Sequence, residues 1–172
     1  MASSVVVDIM DDVVKTILGV RFDHGHPSEM FNTLNNMSSG TLKTTKFPLV
    51  MMFEPFSEST DHKAFERKVD LTFILAVKTE SSIRSKDRYD LNFRTKLIPM
   101  VDNLKAAIVA SKQILTPYAE QWKFETQIHS EWGTQNKWGT SAIITNDYID
   151  CIEVNTTLQF REQLRTLKTI TP

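Results

Sequence analysis

This chain is poor in cysteine and glycine and carries almost no net charge. Of its 172 residues, five are glycine and one is cysteine, Cys151, while 20 Lys and Arg offset 21 Asp and Glu. A single thiol cannot form an internal disulfide, so we expect a protein made and kept in a reducing compartment rather than a secreted one. The balanced charge excludes a strongly basic surface of the kind that grips phosphate backbones, although it leaves room for a local patch.

Long hydrophobic segments, repeats and low-complexity tracts are also lacking. The best apolar run, residues 71–77, is far shorter than the roughly 20 residues of a membrane-spanning helix, so we expect no membrane contact. Asp8, Asp11 and Asp12 interrupt the N-terminal stretch that a signal peptide would keep apolar. We predict a single domain over residues 1–172, with residues 161–172 available as an extended C-terminal tail.

Apolar residues at helical spacing predict three helices. The first covers about residues 4–18, and a short second one follows Pro27, which suits a first helical turn. A long third helix begins near residue 87 and reaches about residue 108. Pro99 lies within it, where the missing N–H predicts a kink or the start of a second helix.

Alternating or continuous apolar residues predict four strands, over about residues 46–54, 69–77, 122–131 and 149–160. In the second strand the odd-numbered residues are expected to face inward, and in the other two alternating strands the even-numbered ones. The fold class is therefore α+β. We predict a mainly antiparallel sheet of about four strands, with the N-terminal helix and the long Pro-kinked helix packed on one face.

A search for catalytic chemistry finds little. The five glycines form no phosphate-binding loop. The most metal-like group is Asp23, His24 and His26, with His62 available from elsewhere, yet this spacing is not that of a known ligand set. His26 precedes Pro27, so we favour a residue that bonds the backbone at a helix start. We predict no cofactor, no metal and no enzymatic activity.

The remaining charged residues have simpler interpretations. Asp147, Asp150 and Glu153 are interpreted as the solvated side of a strand and its preceding turn rather than as paired catalytic acids. Cys151, within that strand, is expected to be a buried and inert thiol. Arg88 and the other basic residues of the long helix are diluted by acids, which favours a mixed, exposed helix face.

Aromatic residues in two long connections are the candidate contact residues. Trp132 and Trp138, each followed by Gly-Thr, suit a stacking platform for sugars or bases, a protein interface, or a loop folded back on the sheet. Phe56 and Phe65 lie in the other connection, over residues 55–66. We select all four as candidate inter-subunit contacts.

Three stretches carry a resemblance to a known family. They are GHPSEMFNTL at 25–34 leading into KFPLVMMFEP at 46–55, DRYDLNFRTKLIPMVDNL at 87–104, and NDYIDCIE at 146–153. In these stretches and in its order of elements, the chain resembles the tail-terminator-like proteins of tailed bacteriophages, which are head-to-tail connector rings of the neck. The shared motifs build a fold, and none is a catalytic signature.

The resemblance implies an α+β structural subunit of the virion that joins copies of itself into a six-fold or twelve-fold ring, assembled in the host cytoplasm. Such a ring contacts portal or adaptor proteins on one side and tail proteins on the other, with DNA passing through non-specifically. Two alternatives stay open. One is a small carbohydrate- or nucleic-acid-binding module that uses Trp132 and Trp138, and the other is a metal-dependent enzyme around His24 and His26.

Overall fold

The computed structural model describes residues 3–37, 46–61, 66–115, 122–132 and 147–161. Its helical elements are α1 (Ser3–Lys15), α2 (Pro27–Asn36), α3 (Ser85–Arg88), a π-helical segment (Tyr89–Leu97) and α4 (Ile98–Ala110). Its strands are β1 (Arg21–Gly25), β2 (Leu49–Phe53), β3 (Ser57–Asp61), β4 (Glu66–Thr79), β5 (Phe124–Trp132) and β6 (Tyr148–Arg161). No helix within these ranges is both long and apolar enough to cross a membrane.

The strands form one six-stranded mixed sheet in the order β1-β2-β4-β6-β5, with β3 pairing to β4 beside β2. The β1–β2 pair is parallel and the other pairs are antiparallel. The predicted α+β class is confirmed, whereas the predicted number of about four strands is wrong.

Two strands were missed because their own sequences are poor strand formers. β1 is RFDHG and β3 is SESTD, and Asp, Ser and Gly are depleted in strands. Both are placed by their neighbours: β1 pairs along β2, and β3 pairs along the first half of the long strand β4. Residues 57–61, which the sequence analysis placed in the connection over residues 55–66, are therefore a strand of the sheet.

The larger part of the core lies between the sheet and the helices α1 and α4. Odd-numbered residues of β4 and even-numbered residues of β6 face this layer, as predicted from their alternation. The buried side chains that meet there include Met10 and Val14 of α1, Phe73 of β4, Val154 of β6 and Leu104 of α4. The prediction that the N-terminal and long helices share one face is confirmed.

The opposite face of the sheet is covered in part by α2. Met30, Phe31 and Leu34 of this helix pack in a second cluster that includes Ile74 of β4 and Cys151 of β6. The sheet is therefore sandwiched between two helical layers, of which the second is small. Cys151 is fully buried, as predicted.

The long helical stretch changes its winding before Pro99. The π-helical segment runs up to Leu97, and α4 begins at Ile98 with Pro99 in its first turn, where no backbone N–H is needed. This corresponds to the predicted second helix start at Pro99.

The inward face predicted for β5 is wrong over its central residues. Thr126 and Ile128 are exposed, although they lie on the same side of the sheet as the buried residues Val154 and Ile152 opposite them. β5 is the last strand of the sheet, and α4 reaches only its beginning, where Lys105 lies over the ring of Phe124. Alternation indicates which way a side chain faces, but not whether a layer lies above it.

The sheet offers a matched test of this layering. Ile152 and Ile128 lie directly opposite each other, with 3% and 51% of their side chains exposed. In urea unfolding of the dilute monomer, we expect Ile152→Ala to lower the free energy of unfolding by about 2–5 kcal/mol and Ile128→Ala by less than about 1 kcal/mol. Equal losses of unfolding free energy in the two variants would contradict a helical layer that covers Ile152 but not Ile128.

Candidate functional site

A buried polar network joins the start of the long helical stretch to the sheet, where β4 ends and β6 begins. Asn92 in the π-helical segment donates hydrogen bonds to Asp150 Oδ2 at 2.8 Å and to Thr79 Oγ1 at 3.0 Å. Arg88 Nε lies 3.5 Å from Asp150 Oδ2, and both side chains are buried. A buried carboxylate is stable only when it is paired and hydrogen-bonded, and this network meets both conditions.

The same network holds an irregularity in β5. The register shifts between His129 and Trp132, and Glu131 adopts a positive φ of 52°. Its backbone N–H donates to Asp150 Oδ1 at 3.1 Å, and Arg88 Nη2 donates to its Oε1 at 2.6 Å. The left-handed conformation is costly for a residue other than glycine, so these contacts stabilise a bulge that would otherwise be strained.

The bulge changes the face on which Trp132 lies. Even-numbered residues of β5 up to Ile128 face the α1 and α4 layer, but Trp132 is in the cluster beneath α2. One extra residue in a strand reverses the alternation after it, which accounts for the change. Trp132 packs there against Phe31 and Phe53, with ring centroids 5.1 Å and 6.3 Å apart.

Trp132 borders a groove of about 260 Å³ on the part of this face that α2 leaves open. Phe53, Pro55 and Phe56 form its apolar sides, and Phe56 also contacts the larger core cluster. Its floor includes Ile74 and polar side chains of β4 and β6, namely Asp70, Thr72 and Glu153.

Two of the polar side chains of the floor, Thr72 and Glu153, are held by neighbouring side chains of β5 and β6. Glu153 Oε2 lies 3.2 Å from His129 Nε2, and its Oε1 accepts a hydrogen bond from Asn155 Nδ2 at 3.0 Å. Thr72 Oγ1 donates to Asn155 Oδ1 at 2.7 Å. A fixed row of hydrogen-bonding groups beside aromatic walls has the chemistry of a binding surface, in which apolar contact gives area and polar groups give orientation.

Several charged residues are not where the sequence interpretation put them. Asp147 contacts the buried ammonium group of Lys46, and its other oxygen lies 3.4 Å from Lys78 Nζ. With Asp150 and Arg88 buried, the solvated-face interpretation is wrong for Asp147, Asp150 and Arg88, whereas Glu153 is partly exposed at the groove. Spacing along the chain carries no signal for such pairs, since Arg88 and Asp150 meet only through the fold.

The metal-like residues are engaged in local contacts. His26 caps α2, and its Nδ1 accepts from the Ser28 N–H at 3.4 Å. Asp23 accepts from Arg21 Nη2 at 2.9 Å, and the ring of His24 stacks on Phe22 at 6.1 Å between centroids. His62 lies outside the described residues. Among the described residues, no group of three or more His, Cys, Asp or Glu is placed to hold a metal ion.

The four candidate contact residues divide into two groups. Trp132 is 6% exposed and packs within its own chain, while Phe56 is half-buried at the groove. Phe65 and Trp138 lie outside the described residues. A role of these residues in inter-subunit contact stays a prediction.

Exposed apolar residues mark both ends of the sheet. At one end, Ile128 is half-exposed on β5. At the other, Leu18 in the turn before β1 is 96% exposed, at the rim of a shallow depression shared with Ala106 and Ala110 of α4.

No protein-family model matches this sequence, and no curated protein matches it either.

Two arginines of the same helical stretch test the buried network. Arg88→Ala leaves Asp150 buried without its cation, so we expect a loss of about 3–5 kcal/mol in the free energy of unfolding. Arg94, which is exposed and pairs with Asp90 one helical turn away, is the control, and Arg94→Ala is expected to cost less than about 0.5 kcal/mol. Denaturant unfolding of both variants checks this, and similar losses would mean that the network does not stabilise the fold.

Proposed function

We propose that this chain is a structural subunit of a closed ring in the neck of a tailed bacteriophage, joining portal to tail around the DNA channel. The ring forms in the host cytoplasm and becomes part of the virion. The observation that carries the proposal is the pair of different exposed apolar sites at the two ends of the sheet, Leu18 near β1 and Ile128 on β5.

Two different sites are what ring assembly requires. In a closed ring of more than two identical subunits, each copy uses one patch to bind the next copy and a second patch to be bound. A two-fold dimer instead needs one self-complementary patch. Leu18 lies in the turn before the edge strand β1 and Ile128 lies on the opposite edge strand β5, so contact between these unlike sites would pass from copy to copy.

The resemblance to tail-terminator-like proteins supports the same proposal. The three stretches that carry the resemblance form α2 and β2, the helical stretch after Asp87, and the beginning of β6. The last two are in contact in the fold through the buried hydrogen bond from Asn92 to Asp150. The resemblance implies no catalytic residue, and we propose a role without enzymatic activity.

The charge balance also fits a channel wall. A formal net charge of −1 gives no general electrostatic attraction for DNA phosphates, which would slow DNA passing through the ring. Contact with DNA is then proximity rather than binding. The proposed binding partners are further copies of this chain, together with portal or adaptor and tail proteins.

Two single substitutions test assembly from both ends. We expect Leu18→Lys and Ile128→Lys each to abolish the ring, because a charge in a buried apolar contact is costly. Each variant keeps one intact patch, so an equimolar mixture should give heterodimers and no rings. Native mass spectrometry and light scattering of the wild type, each variant and the mixture provide the measurement.

Thr33→Lys, at an exposed position of α2, is the control for added charge and should assemble as the wild type does. Rings that re-form in the mixture would contradict a two-patch interface. A wild-type chain that stays monomeric with portal and tail proteins present, and that is absent from purified particles, would overturn the proposed function.

A further inference from the structure

Resting on the proposed ring, we infer how neighbouring copies join: β5 of one copy pairs with β1 of the next as an antiparallel strand, continuing the sheet around the ring. Within the described residues, β1 and β5 end the main path of the sheet, while β3 lies off this path and pairs only with β4. An end strand presents unpaired N–H and C=O groups that can pair with another chain.

The directions of the strands fit this pairing. β2 runs parallel to β1, and each of the next three steps, β2 to β4, β4 to β6 and β6 to β5, is antiparallel. β5 therefore runs opposite to β1. When a second copy in the same orientation is placed beside β5, its β1 runs antiparallel to β5. Antiparallel pairing is slightly more stable per residue than parallel pairing.

On each of the two edge strands, alternate residues direct their backbone N–H and C=O groups away from the sheet, and these residues can be paired with one another. The Arg21 N–H donates to Pro48 and the Gly25 carbonyl accepts from Glu54, so the alternate residues Phe22 and His24 direct their backbone groups outward. The outward His24 N–H donates to Asp23 Oδ1 at 3.0 Å within its own chain. On β5, the Lys123 carbonyl accepts from the Thr157 N–H. By the same alternation, Thr126 and Ile128 direct their backbone groups away from β6.

Pairing Phe22 with Ile128 also aligns the side chains. Across the sheet, Phe22, Val50, Leu75, Ile152 and Ile128 form one transverse row on the α1 and α4 side. The row is buried in its centre and half-exposed at Ile128. Phe22 of the next copy would cover Ile128 and extend the apolar row across the junction.

The paired lengths agree as well. β1 has five residues, Arg21–Gly25. The part of β5 before its bulge runs from Phe124 to His129, so it can pair with the whole of β1. The bulge at Glu131, fixed by Arg88 and Asp150, sets the end of the pairing, since a bulge interrupts a regular ladder.

Cysteine crosslinking tests this register in the full chain. Opposite residues here include Asp23 and Gln127, a non-hydrogen-bonded pair whose Cα atoms would be about 4.5 Å apart, close enough for a disulfide. In assembled rings of the double variant Asp23→Cys, Gln127→Cys, oxidation should give a covalent ladder up to the ring size on a non-reducing gel. Mixed single variants should give covalent dimers only, and the buried native Cys151 should not take part.

The matched control is His24→Cys, Gln127→Cys. Both positions are exposed, but they project from opposite faces of the continued sheet, so no crosslink is expected. Hydrogen exchange supplies a second measurement: the amides of residues 22, 126 and 128 should exchange at least tenfold more slowly in the ring than in monomeric Leu18→Lys.

The outcomes separate this inference from the proposed function. Rings that form without the Asp23–Gln127 crosslink and without protected edge amides would overturn the strand pairing and leave the ring intact. Self-crosslinking of Gln127→Cys alone would show β5 pairing with β5, which also overturns it. A chain that never assembles, with its neck partners present, would overturn both proposals.

Discussion

Fourteen residues of β4 pair in unbroken register with fourteen of β6, and every other layer is placed relative to this ladder. Its odd-numbered β4 residues and even-numbered β6 residues support α1 and α4, while the reverse set supports α2 and the floor of the groove. Shifting the register by one residue would exchange the two faces, burying Glu153 and exposing Val154. The long ladder thus fixes the side on which each helix packs.

The network around Asp150 connects this ladder to the helical stretch and to β5. Asp150 is part of β6, accepts from Asn92 in the π-helical segment, and accepts from the Glu131 N–H in the β5 bulge. These contacts have a common consequence. They hold β5 against β6 where the ladder is interrupted, and the bulge places Trp132 beneath α2.

Most of the fold follows from periodicity. β4, β6 and α1 have long alternating or helical patterns whose apolar faces are the buried ones, and residues such as Phe73 and Met10 were predictable core. β1 and β3 were not predictable, because RFDHG and SESTD form strands only where a neighbouring strand pairs with them. Tertiary pairing, rather than intrinsic propensity, determined these two.

The candidate sites were less predictable than the fold, for a related reason. Arg88 and Asp150 look like ordinary surface charges in sequence, since nothing local shows that they meet. Simple alternation along β5 would put Trp132 on the same face as Ile128. The inserted residue at Glu131 reverses the alternation, and it is stabilised by contacts from β6 and the helical stretch. By contrast, the capping role of His26 was visible from the adjacent Pro27, because that contact is local.

The exposure of Ile128 at the edge of the sheet is informative because of the residues beside it. A lone exposed Leu or Ile is ordinary on a protein surface. Ile128, however, ends a row whose inner members are buried, and its backbone groups point outward from an end strand. Such an edge invites indiscriminate pairing unless it is limited. Here the bulge at Glu131 interrupts the regular ladder after His129, so the pairing that we propose with β1 is confined to the residues before it. The end of the regular edge is therefore set by the same buried Asp150 network that connects the helical stretch to the sheet.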